Sequence, residues 1–353
     1  MASNGDRRNL SHERENQGRA RGDRRLLAAG PGCLRRGSSG AASGAGGSTI
    51  DLVAHSTPET AFTEIEAAFK ETEEGQDVQF RDSYGPSGDQ SRAVESGQPA
   101  DFVNFSLESD VTRLVDAGLV AENWNTGEYK GIVADSVVVL AVRPGNPKNI
   151  QGWDDLVKPG VEIVTPNPGS SGGARWNLLA AWGHVIATGG SEQDAEEYLT
   201  KFFENAVALP GSARDALTSF TSGNGDVLVS YENEAILARQ NGEELDYIVP
   251  DETLLIETPA AVTEDAEAVA SDWLDFLYTD EAQSAFLRSG YRPVVDGVTG
   301  EVEGANDPAD PFPAPKSLLT VAGDFGGWPE AAAKFFDEEN GIVTRIQAET
   351  GKQ

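Results

Sequence analysis

Cysteine and methionine are almost missing from this chain: Cys33 and Met1 are their only examples in 353 residues. One cysteine excludes an intrachain disulfide. Histidine occurs only as His12, His55 and His184, which are too far apart for a metal-ligand pattern. No apolar run approaches the roughly 18 residues that a membrane-spanning helix needs. There is no Gly-x-Ser-x-Gly elbow, and no serine has an identifiable base partner, so the usual marks of nucleophilic hydrolysis are missing. The segment Gly85-Pro86-Ser87-Gly88 lacks the Gly-Lys-[Ser/Thr] ending of a nucleotide P-loop. No internal repeat is found.

Basic residues are scarce and acidic ones abundant. The formal net charge is −31. Residues 1–50 hold nine arginines against four acids, so the rest of the chain carries 18 basic and 54 acidic residues. Such a surface repels nucleic acid and anionic lipid. It suits a halophilic protein, because at molar ionic strength the screening length is about 3 Å and self-repulsion collapses. The acids are spread along the chain and not gathered in a tail, which argues against a dedicated acidic interaction surface.

A hydrophobic content of 39% supports real cores, and the length suits two lobes. Residues 1–48 form an Arg-, Gly- and Ser-rich leader and tether, expected to be disordered. Within them Arg24-Arg25-Leu26-Leu27-Ala28-Ala29-Gly30-Pro31-Gly32-Cys33 looks like a degraded twin-arginine lipoprotein signal, with Cys33 the candidate lipid attachment. Its apolar stretch is short, and Arg35 and Arg36 fit such a signal poorly.

From Thr49 onward strands and helices alternate, which predicts an α/β fold with parallel sheets. Strands are expected at 50–54, 78–84, 101–106, 136–143, 161–165 and 226–231, with an extended stretch at 253–262. Helices are expected at 59–70, 89–95, 111–117, 178–186, 213–221 and 233–240. A long helical region at 264–288 and tail helices near 329–336 and 342–349 complete the pattern. Phe62, Ile65 and Phe69 illustrate the helical spacing.

Four strand ends deliver small, hydroxyl-bearing turns to helix starts. They are Ser56-Thr57-Pro58, Gly85-Pro86-Ser87-Gly88, Ser171-Gly172-Gly173 and Gly211-Ser212-Ala213. The first N–H groups of a helix have no internal acceptor and lie at the positive end of its dipole. Ligands of open α/β sheets bind beyond the carboxyl ends of strands. Two turns precede residue 140 and two follow it, so a ligand between two lobes would draw donors from both. With no catalytic set beside them, the turns predict an anion-binding cleft.

The chain resembles the sulfate/thiosulfate-binding proteins of ABC importers, a type II periplasmic-binding-protein-like family. The carriers are Ser83-Tyr84-Gly85-Pro86-Ser87-Gly88, the run Val164-Thr165-Pro166-Asn167-Pro168 through Asn177, Ser212-Ala213-Arg214, Tyr231-Glu232-Asn233-Glu234-Ala235, Tyr291-Arg292-Pro293 and Phe325-Gly326-Gly327-Trp328. The resemblance implies a two-lobed venus-flytrap fold, each lobe a mainly parallel sheet flanked by helices, joined by two hinge strands. Residues 49–138 and 260–353 would form lobe 1 and residues 139–259 lobe 2. It implies a monomeric extracytoplasmic protein that delivers sulfate or thiosulfate to a membrane-embedded ABC permease, with no cofactor or metal. The implied anion donors are Ser87 (hydroxyl and N–H), the Ser171 hydroxyl, the N–H groups of Gly172, Gly173 and Ala213, and the backbone at Ser56. Ser56 replaces an aspartate of the family, and Tyr231 stands where the family has a tryptophan whose indole N–H binds the anion.

Sulfate is fully ionised near neutral pH and only accepts hydrogen bonds. A chamber of donors satisfies it, whereas hydrogen phosphate brings a proton that meets no acceptor. That predicts rejection of phosphate, unless the Tyr231 phenol accepts. Arg175 and Arg214 adjoin two donor turns as candidate electrostatic support, the alternative being salt bridges to nearby carboxylates. His55 adjoins Ser56 and is a candidate for the cleft lining, while His184 and the tryptophans Trp176, Trp182, Trp273 and Trp328 are expected in the core. Molybdate and tungstate are rival ligands. An exported phosphate- or sulfate-ester hydrolase is the alternative from another class.

Overall fold

The computed structural model describes residues 47–352. The first βα run is β1 (Thr49–His55), α1 (Glu59–Phe69), β2 (Gln79–Gly85), α2 (Ser87–Glu95), β3 (Phe102–Asn104) and α3 (Glu108–Asp116). The long strand β4 (Ile132–Val142) leads to the second run. That run is α4 (Trp153–Leu156), β5 (Ile163–Val164), α5 (Gly172–Ala187), α6 (Glu192–Asn205), β6 (Ala206–Ala208), α7 (Ala213–Thr221), β7 (Val227–Tyr231), α8 (Glu232–Gln240) and β8 (Asp246–Ile248). A second long strand, β9 (Glu252–Val262), returns the chain to α9 (Ala268–Phe276) and α10 (Asp280–Arg288). The closing elements are β10 (Ser317–Leu319), α11 (Val321–Asp324), α12 (Trp328–Phe336) and α13 (Ile342–Thr350).

The strands follow the order β2-β1-β3-β9-β4-β7-β5-β6, with β10 added beside β9 and β8 beside β4. β1 pairs in parallel with β2 and β3, and β5 pairs in parallel with β6 and β7. Between these groups β9 and β4 run antiparallel to each other, to β3 and to β7, while β10 joins β9 in parallel. The two long strands pair with each other and link the groups, β9 through β3 to the first and β4 through β7 to the second. β4 gives residues 132–137 to β9 and residues 138–142 to β7. β9 gives residues 255–259 to β4 and residues 260–262 to β3. Two parallel groups linked through two long strands are the α/β arrangement expected from the sequence.

Each group has its own core. Ile50, Leu52, Phe62, Phe102 and Phe286 pack around Trp273 in the first. In the second, Leu178, Leu179, Phe202 and Phe203 pack on one face and Val164, Phe220, Leu228 and Ile236 on the other. The closing segment, grouped with lobe 1 in the sequence-based division, buries Val321, Trp328, Phe335, Val343 and Ile346 in the core of α5 and α6. At about 25 cal/mol per Å2, five large apolar side chains hold it there by several kcal/mol.

The short elements α4, β6, β8, β10 and α11 lie outside the sequence expectation, and three longer stretches differ from it. Helix α5 begins at Gly172, six residues before the expected start, so its glycines form the first turn. Helix α6 was not anticipated, although Ser191 and Asp194 form a capping box and Ala195, Tyr198, Leu199, Phe202 and Phe203 form its buried stripe. The region 264–288 is two helices, because Thr279 accepts the Ala282 N–H and starts α10 afresh. The leader, the tether and Cys33 lie outside the described residues.

Candidate functional site

Six of the parallel strands point their carboxyl ends at one small cavity. It is lined by His55, Ser56 and Thr57 after β1, Gly85, Pro86 and Ser87 after β2, and Ser106 after β3. The other side supplies Ser171, Gly172 and Gly173 after β5, Ser212 and Ala213 after β6, and Tyr231 at the end of β7. All seven residues named as anion donors therefore meet in one place. The space is small, about 210 Å3 of non-protein volume including its open side. No lysine lines it, and no group of metal-ligating side chains occurs among the described residues.

Backbone geometry leaves donors facing this space. Ser87, Gly172 and Ala213 are the first residues of α2, α5 and α7, and Gly173 is the second of α5, so their N–H groups have no acceptor in their own helices. The neighbouring donors are spent elsewhere: Gly88 N–H donates to the Ser170 carbonyl at 3.2 Å and Ser171 N–H to the Asn167 carbonyl at 2.8 Å. Three helix dipoles, from helices of 9, 16 and 9 residues, add positive potential. The Ser171 hydroxyl sits beside Gly173, with Oγ 3.3 Å from where a Cβ on that glycine would stand.

The Ser87 hydroxyl is already committed. Its Oγ donates to Asp110 Oδ2 at 2.6 Å and accepts the Ser106 N–H at 2.9 Å. Of the two donors assigned to Ser87 from the sequence, its N–H alone remains for a guest. Tyr231 Oη lies 2.6 Å from Ser106 Oγ. Burial pushes the Tyr231 phenol well up, so it stays neutral, with one hydrogen to give and lone pairs to accept.

The two sides are in contact around the cavity. Trp176 Nε1–H donates to the Ser106 carbonyl at 2.8 Å, and the Gly88–Ser170 bond crosses beside it. Gly172 is required for this approach. A Cβ there would stand 2.5 Å from Ser106 Oγ and 2.6 Å from Ser106 Cβ.

Neither arginine lines the cavity. Arg214 pairs with the fully buried Glu234 through Nε and Nη2, each at 2.9 Å, and Nη2 also donates to the Thr57 carbonyl at 3.2 Å. The salt-bridge alternative thus describes Arg214. Burial pushes the Glu234 carboxyl up, and Arg214 opposes that shift. Arg175 donates from Nε to the Pro168 carbonyl at 3.1 Å and stacks over Phe336 at 5.0 Å. Burial lowers its pKa. Each arginine braces the backbone of a donor loop.

His184 lies between Glu252 Oε2 (3.0 Å) and Asp154 Oδ1 (3.1 Å), away from the cavity, and the four named tryptophans are buried. Ser106 was missed as a cavity residue, whereas Thr57 lines it from a turn singled out in the sequence. Ser106 follows Asn104 and Phe105 without glycine or proline to mark a turn. Its only signal was its place just past the carboxyl end of a strand.

Residues 50–292 match the family described as bacterial extracellular solute-binding protein. The chain is 40% identical over 330 residues to the sulfate-binding protein of Synechococcus elongatus, spanning 90% of this chain and 92% of that one. It is 33% identical over 299 residues to the thiosulfate-binding protein of Pseudomonas aeruginosa, spanning 81% and 88%. Among solved structures, the sulfate-binding protein SubI from Mycobacterium tuberculosis is similar at 43% identity and a TM-score of 0.76, covering 82% of this chain and 100% of that one.

Proposed function

The chain belongs to the bacterial extracellular solute-binding proteins, and from that premise we propose that it captures sulfate or thiosulfate between two lobes and hands it to an ABC permease. One observation carries the reading: neutral donors from five strand ends converge on one small cavity. A dianion there accepts N–H bonds from Ser87, Gly172, Gly173 and Ala213, with the backbone at Ser56, the Ser171 hydroxyl and the Tyr231 phenol closing the shell. Charge-assisted hydrogen bonds of this kind are each worth about 1.5–3 kcal/mol.

The ligand joins the two sides, because its donors come from both. Closure places both lobe surfaces in one composite face for the permease. The moving units are 49–138 with 260–316 on one side and 139–259 with the closing segment on the other, the latter following the shared core of α5, α6, α12 and α13. Binding needs one copy of the chain and no metal or turnover. The protein works outside the cytoplasmic membrane, either held there through a lipid on Cys33 or secreted. No described helix is long and apolar enough to cross a membrane.

The test is thermal unfolding in concentrated KCl with sulfate, thiosulfate, molybdate and phosphate. A specific ligand of the folded state raises Tm by mass action, by about 2.7 kcal/mol of stability at a hundredfold excess over Kd. Sulfate or thiosulfate is expected to give the largest rise and phosphate the smallest. No rise with any of the four, or hydrolysis of sulfate esters by the same sample, overturns the proposal.

A further inference from the structure

His55 interrupts the donor lining of the cavity. The ring is 3% exposed, and its Nδ1 lies 3.3 Å from the Asn104 carbonyl. A carbonyl oxygen only accepts, so Nδ1 carries the hydrogen and neutral His55 presents Nε2 as a bare lone pair. That atom is buried and has no hydrogen-bond partner in the protein. A buried acceptor beside a site for a guest that can only accept is a mismatch, unless the acceptor changes character when the guest arrives.

We propose that His55 takes up a proton on Nε2 when a fully ionised dianion enters the cavity, which turns the one lining group that has no hydrogen to offer at its free atom into a cationic donor. The inference rests on the sulfate-binding reading above. The proton comes from bulk water or buffer, and no covalent bond is made or broken in the anion. The surroundings explain why the ring waits unprotonated. Burial lowers the pKa of His55 to about 4, and the positive charge of Arg214 pushes the same way. The other ionisable groups around the cavity leave that state in place: Glu234 is paired to Arg214, Asp110 is held by Ser87, and the Tyr231 phenol is neutral. Two negative charges arriving beside the ring reverse the balance, because an opposite charge within about 4–6 Å favours the charged form. Protonated His55 also sharpens selection, since an imidazolium cannot accept the proton of hydrogen phosphate.

Linkage sets the sign. Between the pKa of the free and the occupied state, affinity falls up to tenfold for each unit rise in pH. The experiment is titration calorimetry of the full chain with sodium sulfate in concentrated KCl at pH 6.5. Two buffers of different ionisation enthalpy are used, for wild type and His55→Gln. Sulfate itself binds no proton at this pH, so any uptake belongs to the protein. The expected result is uptake approaching one proton per sulfate in wild type and none in His55→Gln, with wild-type affinity falling at least tenfold from pH 6 to pH 8. Sulfate binding with the same heat in both buffers overturns the inference while leaving the binding function intact. Uptake that persists in His55→Gln assigns the proton elsewhere and also overturns it. An absence of sulfate binding at every pH removes the function and the inference together.

Discussion

Gly172→Ala isolates the contact that closes the cavity. The new methyl group would stand 2.6 Å from Ser106 Cβ and 2.9 Å from Leu107 Cγ. Carbon atoms rest at about 3.5–4.0 Å, so the start of α5 and the end of β3 must part by about 1 Å. The Tyr231–Ser106 bond (2.6 Å) and the Trp176–Ser106 bond (2.8 Å) cross this contact and lengthen with it. Overpacking costs roughly 1–3 kcal/mol, and a weakened hydrogen bond adds about 1 kcal/mol. The closed, liganded form should lose about 2–4 kcal/mol, which is a roughly 30- to 700-fold loss of sulfate affinity. A form with the lobes apart does not feel the clash. There the alanine stands at the first helical position, outside the helix interior, and leaves stability near wild type. Calorimetry should show the weakened binding, and a melt without sulfate should show a Tm near that of wild type. Affinity within threefold of wild type would refute the reasoning, as would a fall in ligand-free Tm matching the lost binding energy.

Tyr231→Phe strands Ser106 Oγ and removes one donor from the cavity, so sulfate affinity should fall about 10- to 100-fold in calorimetry; unchanged affinity would exclude the phenol from the anion shell. Glu66, buried on α1, has its pKa raised to about 7 by desolvation, with Asp82 adding to the effect. A raised carboxyl pKa contributes stability below the unfolded value of about 4.5 and loses it as pH rises through 7. Glu66→Gln should therefore raise Tm at pH 8, by on the order of 2–3 kcal/mol at most, and leave it nearly level at pH 4.5; the opposite order refutes the assignment. The net charge of −31 predicts that ligand-free Tm climbs between 0.1 and 2 M KCl, roughly in step with the shrinking screening length. A flat salt profile would remove the halophilic reading.

The parts of the site legible in the sequence were those with a local chemical signature. Ser-Gly-Gly and Gly-Pro-Ser-Gly at the ends of apolar strands already say that backbone N–H groups will be exposed at a helix start. The four turns read that way contribute residues to one cavity, and the seven donor positions implied by the family resemblance line it. What stayed hidden depends on distant partners. Ser106 enters the lining because β1 and β9 flank β3, a pairing no local pattern reveals. The Ser87 hydroxyl looked free until Asp110 was found 2.6 Å away on the next helix. Arg214 looked like help for an anion, but Glu234, 20 residues further on, claims its charge. Helix α6 carried its own cap and stripe, which the sequence reading passed over.

The closing helices follow the second core although β9, α9 and α10 have already led the chain back to the first. Lys352 is also fastened to that second half, through a bond from Nζ to the Ala206 carbonyl at 2.7 Å. A dye near residue 352 and another on the exposed side of α1 would thus ride on opposite jaws. Anion capture could then be followed as a change in energy transfer between the two dyes, with both labels remote from the cavity they report on.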